Sequence, residues 1–262
     1  MSVIFVGNDK GGVGKDTSSD GLFAAAIEKG LSPVMFEIEI ERRMAVKYPA
    51  SIFVATGAPS PEALYAQPDL LFQPLDRAAA QMAREDLAIV NAGAGVTTAF
   101  LRWSEGEVGR AFFGQGEPLH FVCVMTMQDQ ALRAGFSNLS IFGETYPQAQ
   151  RTVLLNPLIA DFVEGDKNIA RALEIATGSG RPISIVRVER MSAPCWGHLM
   201  NLGRLDEIAT KTWKNLVELG LPAAPSIRSM AIFEVWMKGF LTSLSPILPD
   251  VKSANRKGKK ER

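Results

Sequence analysis

Short apolar runs recur along the chain with helical material between them. Val3–Val6, Val34–Ile38, Leu87–Val90, Phe121–Met125, Thr152–Leu155 and Ile183–Val188 have the length of strands, and several are apolar throughout. Unbroken runs of that length mark strands covered on both faces. Between the first two, Leu22, Phe23, Ala26 and Ile27 form a helical stripe that stops at Gly30, a residue suited to the left-handed position after a helix end. A second stripe, Leu205, Ile208, Ala209, Leu216 and Val217, stops in the same way at Gly220. Strands alternating with helices predict an α/β fold, a doubly wound and mainly parallel sheet with helices on both faces in three layers. A ligand site is then expected at the carboxyl ends of the strands. No internal repeat interrupts the pattern, and Pro59–Pro74 reads as a surface excursion. Residues 1–250 are therefore expected to form one domain, followed by a tail at 251–262.

Composition narrows the class. Of 262 residues, 47% are hydrophobic and 21% charged, which supplies a core and excludes disorder for most of the chain. No stretch reaches the roughly 18 apolar residues of a membrane span. Val3–Val6 breaks at once into Asn8, Asp9 and Lys10, unlike a secretory signal, so a cytoplasmic protein is expected. Cys123 and Cys195 are the only cysteines, and His120 and His198 the only histidines. That leaves no disulfide framework and little for a zinc site or a histidine triad. Charge balances at 28 basic and 28 acidic residues, but the residues before Lys252 carry 22 basic and 27 acidic. A mildly acidic body thus carries a basic tail, expected to be disordered, which either attracts polyanions or serves only as a solubilising end.

The candidate chemistry follows the first strand. Gly7-Asn8-Asp9-Lys10-Gly11-Gly12-Val13-Gly14-Lys15-Asp16-Thr17 leads directly into the first helical stripe. Glycines let the backbone wrap closely around phosphates with successive N–H groups aimed at the anion, and a lysine on the last loop turn reaches the phosphates. Strand, glycine-rich loop and helix in that order are the context a phosphate loop requires. A nucleotide is therefore expected at Gly11, Gly12, Val13, Gly14, Lys15, Asp16 and Thr17.

Lys10-Gly11-Gly12-Val13-Gly14-Lys15 resembles the deviant Walker A motif of the ParA/MinD family of P-loop ATPases, with Asn8 on the plasmid-partition side of that family. The resemblance covers the loop closely, the next 80 residues by spacing, and the rest only as architecture. It implies a P-loop NTPase fold, ATP and Mg²⁺ as cofactors, and an ATP-dependent homodimer in which Lys10 reaches the partner's nucleotide. It also implies a switch that binds a partner protein and non-specific DNA in plasmid partition or stability, or in conjugative transfer. Glu37-Ile38-Glu39 stands at the spacing of the family's second-strand Asp-x-Asp, which casts Glu39 with Lys10 as catalytic and Glu37 as a metal neighbour.

Two positions depart from the family pattern. Asp16 occupies the place of the Mg²⁺-binding hydroxyl, and Asn91 that of the Walker B aspartate, before Ala92-Gly93-Ala94-Gly95. Read as a swap, one carboxylate is lost at Asn91 and one gained at Asp16, and the two share the metal. Read as decay, Asp16 repels the triphosphate by a few kcal/mol, taking about 4–5 Å and an effective dielectric near 20. In the second case the chain is a non-hydrolysing nucleotide-binding or interaction scaffold.

Later features carry less. Asn156, at the end of Thr152–Leu155, either meets the adenine edge, as in related ATPases, or caps a loop. Ile232, Phe233, Trp236, Met237, Phe240 and Leu241 lie at helical spacing. The opposite face is poor in basic residues, so a core or interface helix is expected rather than a membrane-surface one. Cys195-Trp196-Gly197-His198 lacks a second ligand pair and reads as a packed loop.

Overall fold

The computed structural model describes residues 1–40, 42–55, 67, 70, 72–157, 161, 169–170, 173–174, 177–178 and 180–250. The basic tail and most of the proline-rich stretch lie outside those residues. The strands are β1 (Ser2–Gly7), β2 (Pro33–Glu39), β3 (Ile52–Ala55), β4 (Leu87–Ala92), β5 (Leu119–Met125), β6 (Gln150–Leu155) and β7 (Ile183–Arg187). Among the described residues they form one sheet in the order β3-β2-β4-β1-β5-β6-β7, with every pairing parallel. The six expected strands are all present. β3 was not expected, although Ile52–Ala55 is an apolar run as long as Val3–Val6; pairing with β2 puts it at one edge of the sheet.

Alternation along the strands divides two cores. Ile4, Val6, Leu87, Ile89, Val122 and Val124 face one side, while Val3, Phe5, Ala88, Val90, Phe121 and Cys123 face the other. The first core is closed by α1 (Lys15–Glu28) and by the long C-terminal helix. The second is closed by α3 (Gln73–Met82), α4 (Val96–Ser104), α5 (Glu107–Phe113) and α6 (Asp129–Thr145), with α2 (Met44–Lys47) placed between β2 and β3. The three-layer expectation holds. Phe5, Phe100, Phe113, Phe121, Phe142 and Tyr146 fuse into an aromatic cluster on the second side, each ring worth roughly 2–3 kcal/mol of burial.

The second helical stripe does not form one helix. α7 (Trp196–Leu199) is followed by α8 (Leu205–Ile208) and α9 (Trp213–Glu218). Thr212 starts α9 through a reciprocal cap with Asn215, and this cap separates Leu205 and Ile208 from Leu216. The helix expected from Ile232 to Leu241 is part of α10 (Ala223–Leu244), which buries Phe233, Trp236, Met237, Phe240 and Leu244. It lies on α1 at Gly21, where an added Cβ would meet Phe240 and Leu244. No helix among the described residues is long and apolar enough to cross a membrane.

At the amino ends of the strands, His120 ties the C-terminal segment to the sheet. Its Nδ1 donates to the Ile247 carbonyl at 3.1 Å and its Nε2 accepts from the Thr152 hydroxyl at 2.7 Å. Burial pushes its pKa down to about 4, whereas an unfolded histidine titrates near 6.5. The unfolded chain therefore takes up the proton first, and stability is full above about pH 6.5 and falls toward pH 4. In His120→Gln, which does not titrate, the stability deficit relative to wild type should shrink by about 2 kcal/mol between pH 7 and pH 5. Urea denaturation across that range measures it, and a deficit independent of pH would contradict the assignment.

Candidate functional site

The loop from Gly7 to Lys15 joins β1 to α1 at the carboxyl edge of the sheet. Gly12 and Gly14 adopt φ of +74° and +97°, a left-handed backbone that turns N–H groups inward and that other residues resist. Lys15 is 7% exposed, and its Nζ donates to the carbonyls of Asn8 at 2.9 Å and Lys10 at 3.0 Å. Burial pulls its pKa below the usual lysine value, opposed by the charges of Asp16, Glu39 and Asp9. Asn8, fully buried, anchors the loop: its amide donates to the carbonyls of Val124 (2.9 Å) and Ala131 (3.0 Å), and its Oδ1 accepts from Lys10 N–H. Asp9 accepts from the Thr98 hydroxyl at 2.6 Å and the Asn138 amide at 3.1 Å, binding the loop to α4 and α6.

Around this loop lies a cavity of about 420 Å³. Its phosphate end is formed by Gly11, Gly12, Gly14, Lys15, Asp16 and Thr17, with Glu39 and Arg43 beside them. The far end is formed by Val188–Met191 after β7, together with Trp196, Trp236 and Phe240. Trp236 and Phe240 stack at 4.5 Å, and Trp196 meets Trp236 edge-on at 5.4 Å. The Trp236 indole N–H donates to the Glu189 carbonyl at 2.8 Å, which fixes the strand-end segment to α10.

Most of the expected site residues converge here. Asp16 and Asn91 are direct neighbours: Asn91 Nδ2 donates to Asp16 Oδ1 at 2.9 Å, and Asn91 Oδ1 accepts from Ser19 Oγ at 3.1 Å. Glu39 lies against Gly93, whose missing side chain makes room for the carboxylate. Asn156 lines the cavity, but its amide donates to the Val13 carbonyl at 2.9 Å, so it braces the loop. Val13 is buried beneath the loop, and Lys10 stands half-exposed on it. Glu37 is the exception. It is fully buried, and its two oxygens accept backbone N–H groups of Arg43 (2.7 Å), Met44 (2.7 Å) and Ala45 (2.9 Å). The expected metal neighbour is thus the cap of α2, because the chain after β2 folds back and brings the amides of residues 43–45 onto its carboxylate.

Arg43 and the aromatic wall were missed by sequence reasoning. Arg43 stands four positions after Glu39, the last residue of β2, in a basic pair with Arg42, a signal that was available. Trp196, Trp236 and Phe240 read only as packing residues, and nothing local distinguishes a cavity wall from a core.

Strand, glycine loop and helix sit at the centre of a parallel sheet, with the loop's lysine at the helix start. This is a parallel α/β fold with a phosphate-loop arrangement. No protein-family profile and no curated protein matches the chain. Solved structures similar to it include apo McdA from Cyanothece, at 11% identity and TM-score 0.47, covering 95% of this chain and 100% of that one. MinD in a MinC:MinD cell division complex from Aquifex aeolicus is 13% identical with TM-score 0.45, covering 88% and 94%. A Cyanothece McdA variant solved with ATP is 13% identical with TM-score 0.45, covering 92% and 96%. The likeness is loose and concerns the fold.

Asn91→Asp would replace the amide that donates to Asp16 with a second carboxylate at a position 2% exposed. It should destabilise the protein by about 1–3 kcal/mol at pH 7, through the lost bond and like-charge repulsion. Adding Asp16→Thr should recover most of that loss, a non-additive pair. Urea denaturation of the four proteins tests it, and strictly additive effects would show that the two side chains do not interact.

Proposed function

We propose that the chain binds ATP with Mg²⁺ in this cavity and works as a dimerising nucleotide switch of the ParA/MinD type. The observation that carries the reading is the buried Lys15 ammonium at the start of α1, inside a loop with two left-handed glycines, at one end of a cavity whose other end is aromatic. The polar end suits a triphosphate and the aromatic end a base. Asp16 lies in the cavity beside Thr17, and no group of three or more His, Cys, Asp or Glu suited to a metal occurs among the described residues. That donor set fits magnesium, which takes one carboxylate and completes its shell with water and phosphate oxygens. Asp16 would hold the ion, which when bound neutralises phosphate charge, and Glu39 would orient a water at the terminal phosphate.

Lys10, half-exposed on the loop, takes part in the loop's hydrogen bonds through its backbone. Its placement supports the reach into a partner's nucleotide that the motif's resemblance implies, so that ATP promotes the dimer. The cellular setting that follows is plasmid partition or stability, or conjugative transfer, with a partner protein and non-specific DNA engaged by the dimer and by the basic tail. The alternative, a nucleotide-binding scaffold without hydrolysis, is favoured by one observation: Asn91 offers an amide, not a carboxylate, at the end of β4.

Three measurements test these readings. Lys15→Ala should abolish ATP binding in calorimetry, because the triphosphate loses its principal cationic contact; unchanged affinity would remove the phosphate-loop reading. Lys10→Ala should keep ADP affinity while lowering the dimer fraction seen by sedimentation with a non-hydrolysable ATP analogue. Asp16→Thr should weaken Mg²⁺-dependent ATP binding if Asp16 holds the ion. A gain in affinity together with no phosphate release by the wild type would instead establish the scaffold.

A further inference from the structure

Two arginines follow β2, and their side chains part. The Arg42 guanidinium lies 4.9 Å above the Phe53 ring on β3, while Arg43 lines the phosphate end of the cavity. The backbone that carries Arg43 is held with unusual care for a four-residue helix, which has no stability of its own. At its start, the buried Glu37 carboxylate accepts the N–H groups of Arg43 itself, Met44 and Ala45. At its end, Tyr48 donates its hydroxyl to Asp20 at 2.5 Å, and the Lys47 ammonium lies 3.8 Å from the same carboxylate. Asp20 is on α1, one turn beyond Asp16, and is 1% exposed. Two buried carboxylates therefore pin the segment, one to β2 and one to the helix of the phosphate loop. Capping and the surface salt bridges of the fold do not need such an arrangement.

Sheet order gives the direction of a bound nucleotide. β2 and β7 lie on opposite sides of β1. The aromatic wall and Val188–Met191 belong to the β7 side, and Glu39 and Arg43 to the β2 side, with the phosphate loop between them. A nucleotide whose base rests on the aromatic wall extends its phosphates across the loop toward β2. The last phosphate then arrives where Arg43 stands. This end also holds the carboxylates of Asp16 and Glu39, so a cation is required there for a triphosphate to be tolerated.

We infer that Arg43 contacts the terminal phosphate of a nucleoside triphosphate from within its own chain, and that Glu37 is the residue that positions it. The inference rests on the phosphate-cavity reading above. It gives the chain a cation that senses the third phosphate in the monomer, independent of Lys10 and of any dimer. A planar guanidinium presents two parallel donors to phosphate oxygens, which a lysine ammonium does not.

The test is calorimetry on the full chain at low protein concentration, with ADP and with a non-hydrolysable ATP analogue, both with Mg²⁺. Arg43→Ala should lose at least tenfold in affinity for the analogue and less than threefold for ADP, with an unchanged melting temperature because the side chain is exposed. Arg43→Lys should recover only part of the loss. Glu37→Gln should lose triphosphate preference in the same direction while Arg43 is intact, an effect that a purely structural cap would not produce. Equal losses for the two nucleotides in Arg43→Ala, or none, would overturn the role of Arg43 and leave the cavity reading standing. A wild type that binds neither nucleotide, or a Lys15→Ala protein that binds both as the wild type does, would overturn the cavity reading and this inference with it.

Discussion

The Lys15 ammonium, bound to the carbonyls of Asn8 and Lys10 inside the loop it terminates, is the interaction on which the rest of the site depends. A charge so deeply buried is costly unless its donors are satisfied, and the loop carbonyls satisfy two of them. Asn8 then carries that geometry outward to the end of β5 and to α6, and Asp9 carries it to α4. The phosphate loop is in this way a rigid junction of the central strand with three helices. Groups aimed at an anion from such a junction need little reorganisation when it binds.

Around the junction, charge is distributed by element. Asp16 and Asn91 share one hydrogen bond across α1 and β4, so this pair brings a single carboxylate to the carboxyl edge of the central strands. Glu39 is admitted by the bare backbone of Gly93. Glu37, two residues earlier, gives both oxygens to the backbone amides at the start of α2. Strand alternation puts both glutamates on one face, so what divides them into a cavity group and a positioning group is the chain after β2, which lays the amides of residues 43–45 on Glu37.

The C-terminal third has a double role. α10 closes the first core by seating Phe240 and Leu244 on Gly21 of α1, and one edge of the same face, at Trp236 and Phe240, becomes the wall of the cavity. Packing that stabilises the helix therefore also sets the shape of the ligand site. A substitution there acts on both, since interiors are close-packed and transmit small displacements.

The three-layer α/β class, six of the seven strands of the described residues and the position of the phosphate loop were legible in the chain itself. They follow from local rules: unbroken apolar runs, helical stripes ended by glycine, and a glycine-lysine loop between a strand and a helix. What the tertiary structure alone decided depends on residues far apart in sequence. The Asn91 amide meets Asp16 across 75 positions, Asn156 braces Val13 across 143, and Tyr48 meets Asp20 across 28. Likewise the division of Glu37 from Glu39 needed the path of the chain after β2, and the aromatic wall needed α10 to fold back onto α1. Periodicity reports which face of an element is apolar, but only the closed fold determines whether that face meets another side chain or a cavity.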